Sequence, residues 1–329
     1  MLVLAIESSC DETAVAIVRG PTSICSSVIS SQVELHAPFG GVVPEIASRA
    51  HLEQLQPLLQ SALRDAAVTF EDIDAFAATE GPGLAGALIV GVAAAKALAV
   101  VFDKPYVGVN HHEGHLYAAL LQQPDLAPPF MSLIVSGGHT MIVDVRAFGD
   151  YRIVGRTVDD AAGEAFDKVA RFCGLGYPGG PIIDRLAAAG NPTAVRLPRP
   201  MLHDGFDFSF SGLKTAVVRF VQDHPDVAIE DLAAGFQTAA VDVLCTKLLK
   251  AAVDAKYSTV VVVGGVAANS GLRSEMVRRS GAAGLTCVLA DRDLCTDNAA
   301  MIAAAASGQL ARRGPTDLSA PIRPSLRLG

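Results

Sequence analysis

Three of the eight histidines lie within five residues, at positions 111, 112 and 115 of the string NHHEGH. Residues four apart share a face of an α-helix, so His111 and His115 can present ring nitrogens to one metal ion. His112 is rotated away from that face by about 100°. The spacing predicts a two-histidine metal site on a helix. The alternative is a helix whose histidines only cap it or hydrogen-bond to neighbours.

A third ligand has to come from elsewhere, because two imidazoles leave a metal ion under-coordinated. Asp297, in the string CTDNAAM at the start of a predicted helix, is a candidate carboxylate. It would serve equally well there as a helix N-cap, which requires no metal. Two histidines and one carboxylate leave positions open for a substrate and suit Fe(II) or Zn(II). The metalloprotease pattern H-E-x-x-H is absent: Glu113 comes two residues after His111, and the frame that begins at His112 has Leu116 in place of the second histidine.

Loops rich in glycine or small polar residues indicate a phosphate-bearing ligand. In VSGGHT (135–140), two glycines leave backbone N–H groups able to close on an anion. GGVAAN (264–269) follows a predicted buried strand and precedes a helix, the usual place of a nucleotide in an α/β sheet. YPGGP (177–181) and the polar turn 7–13 bring the number of such loops to four. Taken singly, each is also typical of an ordinary tight turn.

Two further aspartates are candidates for chemistry. Asp11 lies at the tip of the first predicted hairpin, where a carboxylate can polarise an attacking group, although turn carboxylates are usually solvated. Asp167 lies on a predicted helix and can accept a hydrogen bond from a ligand or pair with a base on its own helix. Asp159 and Asp160, just before that helix, are predicted to cap it.

The elements that would position these residues alternate between strands and helices. Residues 2–18 and 131–145 each read as strand, polar turn and strand, which predicts two similar hairpins and a duplicated fold. Further strands are predicted at 73–79, 104–108 and 259–263. Helices are predicted at 43–67, 84–102, 110–121, 160–173, 182–189, 212–223, 229–255 and 297–307. This alternation predicts the α/β class with mixed sheets.

The composition limits the class of protein. Of the 329 residues, 50% are hydrophobic and 18% are charged, which excludes a disordered chain and predicts a large core. The length favours two domains, with the Pro-rich stretch 124–129 as the predicted linker. The net charge of −8 excludes a uniformly basic protein that coats nucleic acid. Because arginines concentrate in the second half, the net charge does not exclude a local basic surface.

Neither the cysteines nor the apolar segments indicate secretion or a membrane. None of the six cysteines forms a C-x-x-C pair, which predicts a reducing compartment. The first apolar run has no basic residue before it and meets Glu7 after six residues, so no signal peptide is expected. The most membrane-like stretch, 84–102, carries Lys96 in its interior and is predicted to be a buried helix. We therefore expect a cytoplasmic protein.

Ten strings, in order along nearly the whole chain, resemble the bacterial TsaD family of tRNA N6-adenosine threonylcarbamoyltransferases. They are ESSCDET (7–13), GGVVPEIASRAH (40–51), GPGL (81–84), NHHEGH (110–115), VSGGHT (135–140), DDAAGEAFDK (159–168), YPGGP (177–181), FDFSFSGLKTA (206–216), GGVAAN (264–269) and CTDNAAMIA (295–303). Several of these strings are weak signals alone, but ten in register are highly specific.

The resemblance implies the two-lobed α/β fold of the actin, Hsp70 and sugar-kinase (ASKHA) superfamily, with duplicated mixed sheets flanked by helices. We expect an N-terminal lobe of residues 1–123 plus 301–329 and a C-terminal lobe of 130–300. The implied reaction transfers a threonylcarbamoyl group from threonylcarbamoyl-AMP to N6 of adenosine 37, in tRNAs that read codons beginning with A. AMP is released.

The same resemblance implies that His111, His115 and Asp297 hold one divalent metal, usually Fe2+, with Zn2+ as the alternative. Asp11 would orient or deprotonate the attacking amine. The implied substrate contacts are Ile134, Val135, Ser136, Gly137, Gly138, His139, Asp167, Gly180, Asp184 and Asn269. TsaB and TsaE are the implied partner subunits, a TsaC-type synthase supplies the intermediate, and no membrane takes part.

Two other functions are compatible with parts of the pattern. Sugar kinases of this superfamily usually carry a D-x-G-x-T turn in the first hairpin, whereas residues 9–12 place side chains there, which argues against a γ-phosphate cradle. A non-catalytic assembly subunit of the TsaB type is expected to lack the histidine pair that this chain has. A small-molecule kinase and an assembly subunit are therefore the alternatives to the transferase.

Overall fold

The computed structural model describes all 329 residues, and the chain divides into two compact units. The first unit comprises Met1–Leu126 and Thr296–Gly329, and the second comprises Ala127–Cys295. The first junction falls inside the Pro-rich stretch that the sequence predicts as a linker. The predicted boundary at 300/301 assigns Asp297 to the C-terminal lobe, whereas the structure places it in the first unit. All three predicted metal ligands therefore belong to one unit.

Ten strands, eleven α-helices and two short 3₁₀ helices make up the chain. The strands are β1 (Leu2–Glu7), β2 (Glu12–Arg19), β3 (Ser23–Ser31), β4 (Ala75–Gly81), β5 (Tyr106–Asn110), β6 (Phe130–Val135), β7 (Thr140–Ala147), β8 (Asp150–Arg156), β9 (Thr259–Val263) and β10 (Thr286–Leu289). The α-helices are α1 (Val33–His36), α2 (Pro44–Ala66), α3 (Ala85–Val101), α4 (His111–Gln122), α5 (Ala162–Phe172), α6 (Gly179–Ala187), α7 (Ser211–Asp223), α8 (Ile229–Asp254), α9 (Ser270–Ala282), α10 (Arg292–Cys295) and α11 (Ala299–Arg313). The 3₁₀ helices are Ala37–Phe39 and Gly265–Ala268.

The two five-stranded sheets have the same topology. The strand order is β3-β2-β1-β4-β5 in the first unit and β8-β7-β6-β9-β10 in the second. In each sheet the first three strands are antiparallel neighbours. In the first unit, β4 is parallel to β1 and β5 is parallel to β4. In the second unit, β9 is parallel to β6 and β10 is parallel to β9. The prediction of duplicated mixed sheets is confirmed.

The central strand of each sheet, β1 or β6, is buried along its whole length. Every residue of β1 and of β6 is buried, as expected for strands whose two faces are both covered. In the first unit, α11 packs against β1 and α4, and its alanines Ala303–Ala306 are fully buried. This packing brings together the two helices next to which the predicted metal ligands lie.

One helix, α8, is long and apolar enough to cross a membrane by length and composition alone. In the structure, 78% of an apolar 18-residue stretch of this helix is buried within the fold, as in a core helix. The shorter helix α3 contains Lys96, whose ammonium donates a hydrogen bond to the carbonyl of Ala320. α3 is thus anchored within the first unit by a polar contact.

Candidate metal site and ligand pocket

The histidine pair is positioned by the junction between β5 and α4. Asn110 ends the strand and caps the helix, because its side-chain oxygen accepts hydrogen bonds from the backbone N–H of His112 (2.9 Å) and Glu113 (3.3 Å). His111 is therefore the first helical residue, and His115 follows one turn later on the same face. Their ring centroids are 4.8 Å apart. The two residues are 7% and 0% exposed.

Asp297 is brought to these rings by the start of α11. Its predicted alternative role as an N-cap is wrong, because α11 begins at Ala299 and the cap is Asn298, which accepts from the N–H of Met301 (2.9 Å). The Asp297 carboxylate is therefore available for another partner. Its Oδ1 lies 3.4 Å from Nε2 of His111 and 3.3 Å from Nε2 of His115.

These distances fit a bound transition-metal ion. Ligand atoms about 2.1 Å from a tetrahedral ion are separated by about 3.4 Å, close to the two measured N···O distances. The three ligand atoms all lie within 4.8 Å of one another. Nδ1 of the fully buried His115 has no hydrogen-bond partner, and its Nε2 faces the Asp297 carboxylate, although an unsatisfied buried polar atom is costly. Two imidazoles and a carboxylate suit Fe(II) or Zn(II).

Glu7, at the end of β1, orients the ring of His111. Its Oε2 lies 3.2 Å from Nδ1 of His111 and accepts a 2.5 Å hydrogen bond from the Thr79 hydroxyl. Its Oε1 accepts from the N–H of Ser9 at 2.6 Å. Because a carboxylate only accepts, Nδ1 of His111 carries the hydrogen, and Nε2 faces Asp297. Sequence reasoning missed Glu7, although a carboxylate ending a fully apolar strand was a signal that could have revealed it.

Charge compensates for burial in this cluster. Burial opposes a charged ring, but Asp297 and Glu7 raise the pKa of His111 well above its usual value. Burial would raise the pKa of Asp297, yet His111 and His115 hold that pKa well below the usual range. The two carboxylates therefore favour the protonated form of the His111 ring, and a metal ion at Nε2 would compete with a proton there.

The predicted catalytic Asp11 lies in the turn between β1 and β2. The same turn contacts the metal helix, since the Ser9 hydroxyl is 3.3 Å from Nδ1 of His111. Burial raises the pKa of Asp11, opposed by a hydrogen bond with Cys10 and reinforced by the charge of Asp297. A carboxylate with a raised pKa is a better proton acceptor than an ordinary surface aspartate.

The second unit contains a cavity of about 550 Å3 at the ends of its strands and helices. Such a volume is typical of a small-molecule site. Five of the ten predicted substrate contacts line it: Gly137, Asp167, Gly180, Asp184 and Asn269. Sequence reasoning missed two basic lining residues, Arg185 and Arg292, because neither stands in a recognisable motif.

The glycine turn after β6 presents bare backbone. A side chain added at Gly137 or Gly138 would meet nothing within 4 Å, and no hydrogen bond to the protein engages either N–H group. Gly163, in the first turn of α5, lets that helix approach closely, since a Cβ there would lie 2.6 Å from the Ser136 carbonyl oxygen. Open N–H groups beside a helix N-terminus are suited to an anion.

The polar residues of the pocket also hold its loops together. Asp167 accepts a hydrogen bond from the N–H of Gly179 at 2.7 Å. Asp184 accepts from the N–H and the hydroxyl of Ser270, at 2.9 and 2.8 Å. Asn269 caps α9 through the N–H of Leu272. These contacts fix loops that are distant in sequence around one cavity.

The other predicted contacts lie beside the cavity rather than on its lining. Ile134 and Val135 are fully buried in β6, so only their backbone could reach a ligand. Ser136 and His139 close the turn, because the N–H of Ser136 donates to the His139 carbonyl (2.8 Å) and the N–H of His139 to the Ser136 hydroxyl (3.2 Å). Their contacts with a ligand, and that of Gly138, stay predictions.

The predicted capping role of Asp159 and Asp160 on the helix at 160–173 is wrong. The N-cap of α5 is Ala161. Asp159 instead accepts from the backbone N–H of Phe210 (2.9 Å) and the hydroxyl of Ser211 (2.6 Å), at the start of α7. Asp160 forms ion pairs with Lys168 and Lys214. Both carboxylates thus stabilise the loop before α5.

Solved structures show the same fold at low sequence identity. HypF of T. kodakarensis has a TM-score of 0.65 at 13% identity, over 95% of this chain and 48% of that one. Component A of the (R)-2-hydroxyglutaryl-CoA dehydratase of Acidaminococcus fermentans has a TM-score of 0.57 at 14% identity, over 95% of this chain and 99% of that one. Together with the sheet topology, these likenesses show that the chain has an ASKHA-like α/β fold.

Sequence relatives specify the family within that class. Residues 23–304 match the model of TsaD, tRNA N6-adenosine threonylcarbamoyltransferase. Proteins named tRNA N6-adenosine threonylcarbamoyltransferase are 52% identical in Thermosynechococcus vestitus, over 98% of this chain and 95% of the relative, and 49% identical in Clostridium perfringens, over 100% and 98%. The chain belongs to the TsaD family, and the resemblance inferred from ten strings is confirmed.

Proposed function

We propose that this chain transfers a threonylcarbamoyl group from threonylcarbamoyl-AMP to N6 of adenosine 37, in tRNAs that read codons beginning with A, with release of AMP. Family membership supports the transferase activity and the tRNA adenosine substrate. The observation that carries the chemical proposal is the convergence of His111, His115 and Asp297 on one point beside the Asp11 turn.

The donor is a mixed anhydride, so the enzyme must anchor its phosphate and position a weakly nucleophilic amine. The cavity of the second unit is large enough for an adenylate. We assign its phosphate to the open N–H groups of Gly137 and Gly138, with Arg185 and Arg292 supplying positive charge nearby. Because the phosphate leaves as part of AMP, no Walker-type lysine is needed.

In the transfer step, the N6 nitrogen forms a bond with the carbamoyl carbon, and the bond from that carbon to the phosphate oxygen breaks. AMP leaves with the electron pair, and the nitrogen loses a proton. Asp11 accepts that proton or orients the amine, which its raised pKa favours. His111, His115 and Asp297 would hold a divalent metal, which would supply Lewis-acid polarisation to an oxygen atom of the donor.

Fe2+ is the proposed metal and Zn2+ the alternative, since the donor set suits both. TsaB and TsaE are the proposed partner subunits, and a TsaC-type synthase the proposed source of the donor. The six cysteines are all free, which accords with a reducing cytoplasmic setting.

Single-turnover reconstitution tests the proposal. The full chain, TsaB, TsaE, threonylcarbamoyl-AMP and unmodified tRNA are mixed, and modified adenosine and AMP are quantified. We expect stoichiometric transfer by the wild type and none by the double variant His111→Ala/His115→Ala, which should also bind no metal. His203→Ala, which removes an exposed histidine, is the control.

Three outcomes would contradict parts of the proposal. No transfer by the wild-type mixture would favour a non-catalytic assembly subunit. ATP-dependent phosphorylation of a small polyol would favour the kinase alternative. Normal transfer by the histidine double variant would exclude the metal role while leaving the transferase activity in place.

A further inference from the structure

Four buried polar side chains form a connected network behind the turn that carries Asp11. Thr13, Gln32, His36 and His51 are each at most 1% exposed. They lie on β2, just before α1, on α1 and on α2, so the network joins four segments of the first unit. None of them takes part in the metal site or in the chemistry described above.

His51 links this network to the turn. Its Nε2 lies 3.0 Å from the carbonyl oxygen of Cys10, and its Nδ1 lies 2.7 Å from the Thr13 hydroxyl. Because a carbonyl oxygen only accepts, Nε2 must carry the hydrogen, and in the neutral ring Nδ1 is the acceptor. The Thr13 hydroxyl therefore donates to Nδ1. The tautomer and orientation of the ring are both determined by its neighbours.

Gln32 and His36 extend this chain of hydrogen bonds. The Gln32 amide nitrogen is 3.2 Å from Nδ1 of His51, and its amide oxygen is 3.2 Å from Nε2 of His36. The N–H of Val43 donates to Nδ1 of His36 at 3.3 Å, so Nε2 of that ring is the donor to Gln32. The backbone N–H of Gln32 donates to the Asp11 carbonyl oxygen at 3.0 Å.

The two carbonyl groups that flank the Asp11 side chain are thus both held, Cys10 by His51 and Asp11 by Gln32. We propose that His51 is a positioning residue for Asp11, which keeps the carboxylate aimed at the attacking amine. This inference rests on the catalytic role of Asp11 in the proposed function. A displacement of about 1 Å at a reacting group can lower a rate by about 100-fold, so the anchoring would be visible in the transfer step.

A matched pair of substitutions at His51 separates the loss of the hydrogen bond to Cys10 from the loss of the imidazole ring itself. In His51→Gln, the amide nitrogen takes the place of Nε2 and can still donate to the Cys10 carbonyl. In His51→Asn, the shorter amide faces Thr13 but cannot reach that carbonyl. We expect single-turnover transfer close to wild type for Gln and about 10- to 100-fold slower for Asn. The KM for tRNA and the metal content should be unchanged in both.

The decisive experiment repeats the pair in an Asp11→Ala background, measured over long incubations with the full reconstituted complex. If His51 acts through Asp11, His51→Asn will slow transfer no further there, while its effect on the thermal unfolding midpoint persists. Equal rates for Gln and Asn, or an additive loss in the Asp11→Ala background, would overturn the positioning role. Thr13→Val against Thr13→Ser makes the same comparison if His51→Asn does not fold.

The same data distinguish failure of the inference from failure of the proposed function. Absence of transfer by the wild type contradicts the function itself. Wild-type rates in Asp11→Ala contradict the role of Asp11, and with it the proposal for His51. If transfer depends on Asp11 but His51→Gln and His51→Asn change its rate equally, only the proposal for His51 is contradicted.

Discussion

The two units use one sheet topology with opposite designs in the turn after the first strand. In the first unit, residues 8–11 fill the turn with side chains and satisfied hydrogen bonds, such as that from the Ser8 hydroxyl to the Ala87 carbonyl (2.9 Å). In the second unit, Gly137 and Gly138 leave open space and unengaged N–H groups. We propose acid–base and metal chemistry for the first turn, and anion binding for the second.

This difference shows that the topology sets the place of chemistry but not its kind. In both sheets the turn follows a strand with a parallel neighbour, where ligands commonly bind in α/β proteins. Whether side chains or bare backbone occupy the turn then determines the ligand. Four predictions test this division, from the largest expected effect to the smallest.

Filling the glycine turn should strongly weaken anion binding in the second unit alone. Gly137→Val/Gly138→Val places side chains in the open space, and we expect AMP affinity to fall about 100-fold, as for the loss of two hydrogen bonds of about 1.5 kcal/mol each. Isothermal titration with AMP measures this effect. Gly281→Ala, also in open space but outside the cavity, is the control. Unchanged AMP affinity, or loss of metal content, would contradict the division.

Removing the charge of Glu7 should weaken metal binding in the first unit alone. Glu7→Gln keeps the shape of the side chain but loses the carboxylate that faces Nδ1 of His111. Loss of such an outer partner typically costs about 10- to 100-fold in metal affinity. Competition with a chromogenic chelator measures it, with the exposed Glu45→Gln as control. An equal loss of AMP affinity would indicate general destabilisation instead.

Metal binding should release a proton and weaken as the pH falls. Asp297 and Glu7 outweigh burial and raise the pKa of His111 well above 6.5, so the metal-free ring is protonated at pH 7. The ion must displace that proton, and affinity should fall by about tenfold per pH unit below the raised pKa. Calorimetry in two buffers of different ionisation enthalpy should show about one proton released. Buffer-independent heats would contradict the ion pair.

Two buried serines should differ in their contribution to stability. The Ser8 hydroxyl donates to Ala87 and accepts from the N–H of Gly91 (3.2 Å), so Ser8→Ala should lower the free energy of unfolding by about 1–2 kcal/mol. The buried hydroxyl of Ser132 in β6 has no hydrogen-bond partner, so Ser132→Ala should be neutral or stabilising. Urea unfolding compares them, and equal losses would contradict this account.

Local patterns in the sequence were sufficient for much of the fold. Each predicted strand and helix is present, with ends displaced by at most six residues. Three strands were not predicted. β3 is rich in serine, β8 mixes charged residues with glycine, and β10 has only four residues, so none shows clear alternation. Their pairing with neighbouring strands stabilises them in the sheets.

Several arginines of the second half form ion pairs with carboxylates of the same unit. Arg199 and Arg279 both pair with Asp242, and Arg278 pairs with Glu275. Arg312 pairs with Glu113 and Arg323 with Glu80. Composition showed that these charges exist, but only the structure shows that internal carboxylates neutralise many of them.

The sequence by itself determined the features that depend on near neighbours: the shared face of His111 and His115, the bare glycine turn, and the order of strands and helices. Helical periodicity and glycine conformation act over a few residues, so they can be read directly. Local patterns did not connect Asp297 with the histidines: the family resemblance implied that grouping, and the structure shows it. Only the tertiary structure decided that Glu7 faces one of the histidines and that His51 holds the Asp11 turn. Those contacts join residues far apart in the chain, and packing of separate helices and strands sets their distances.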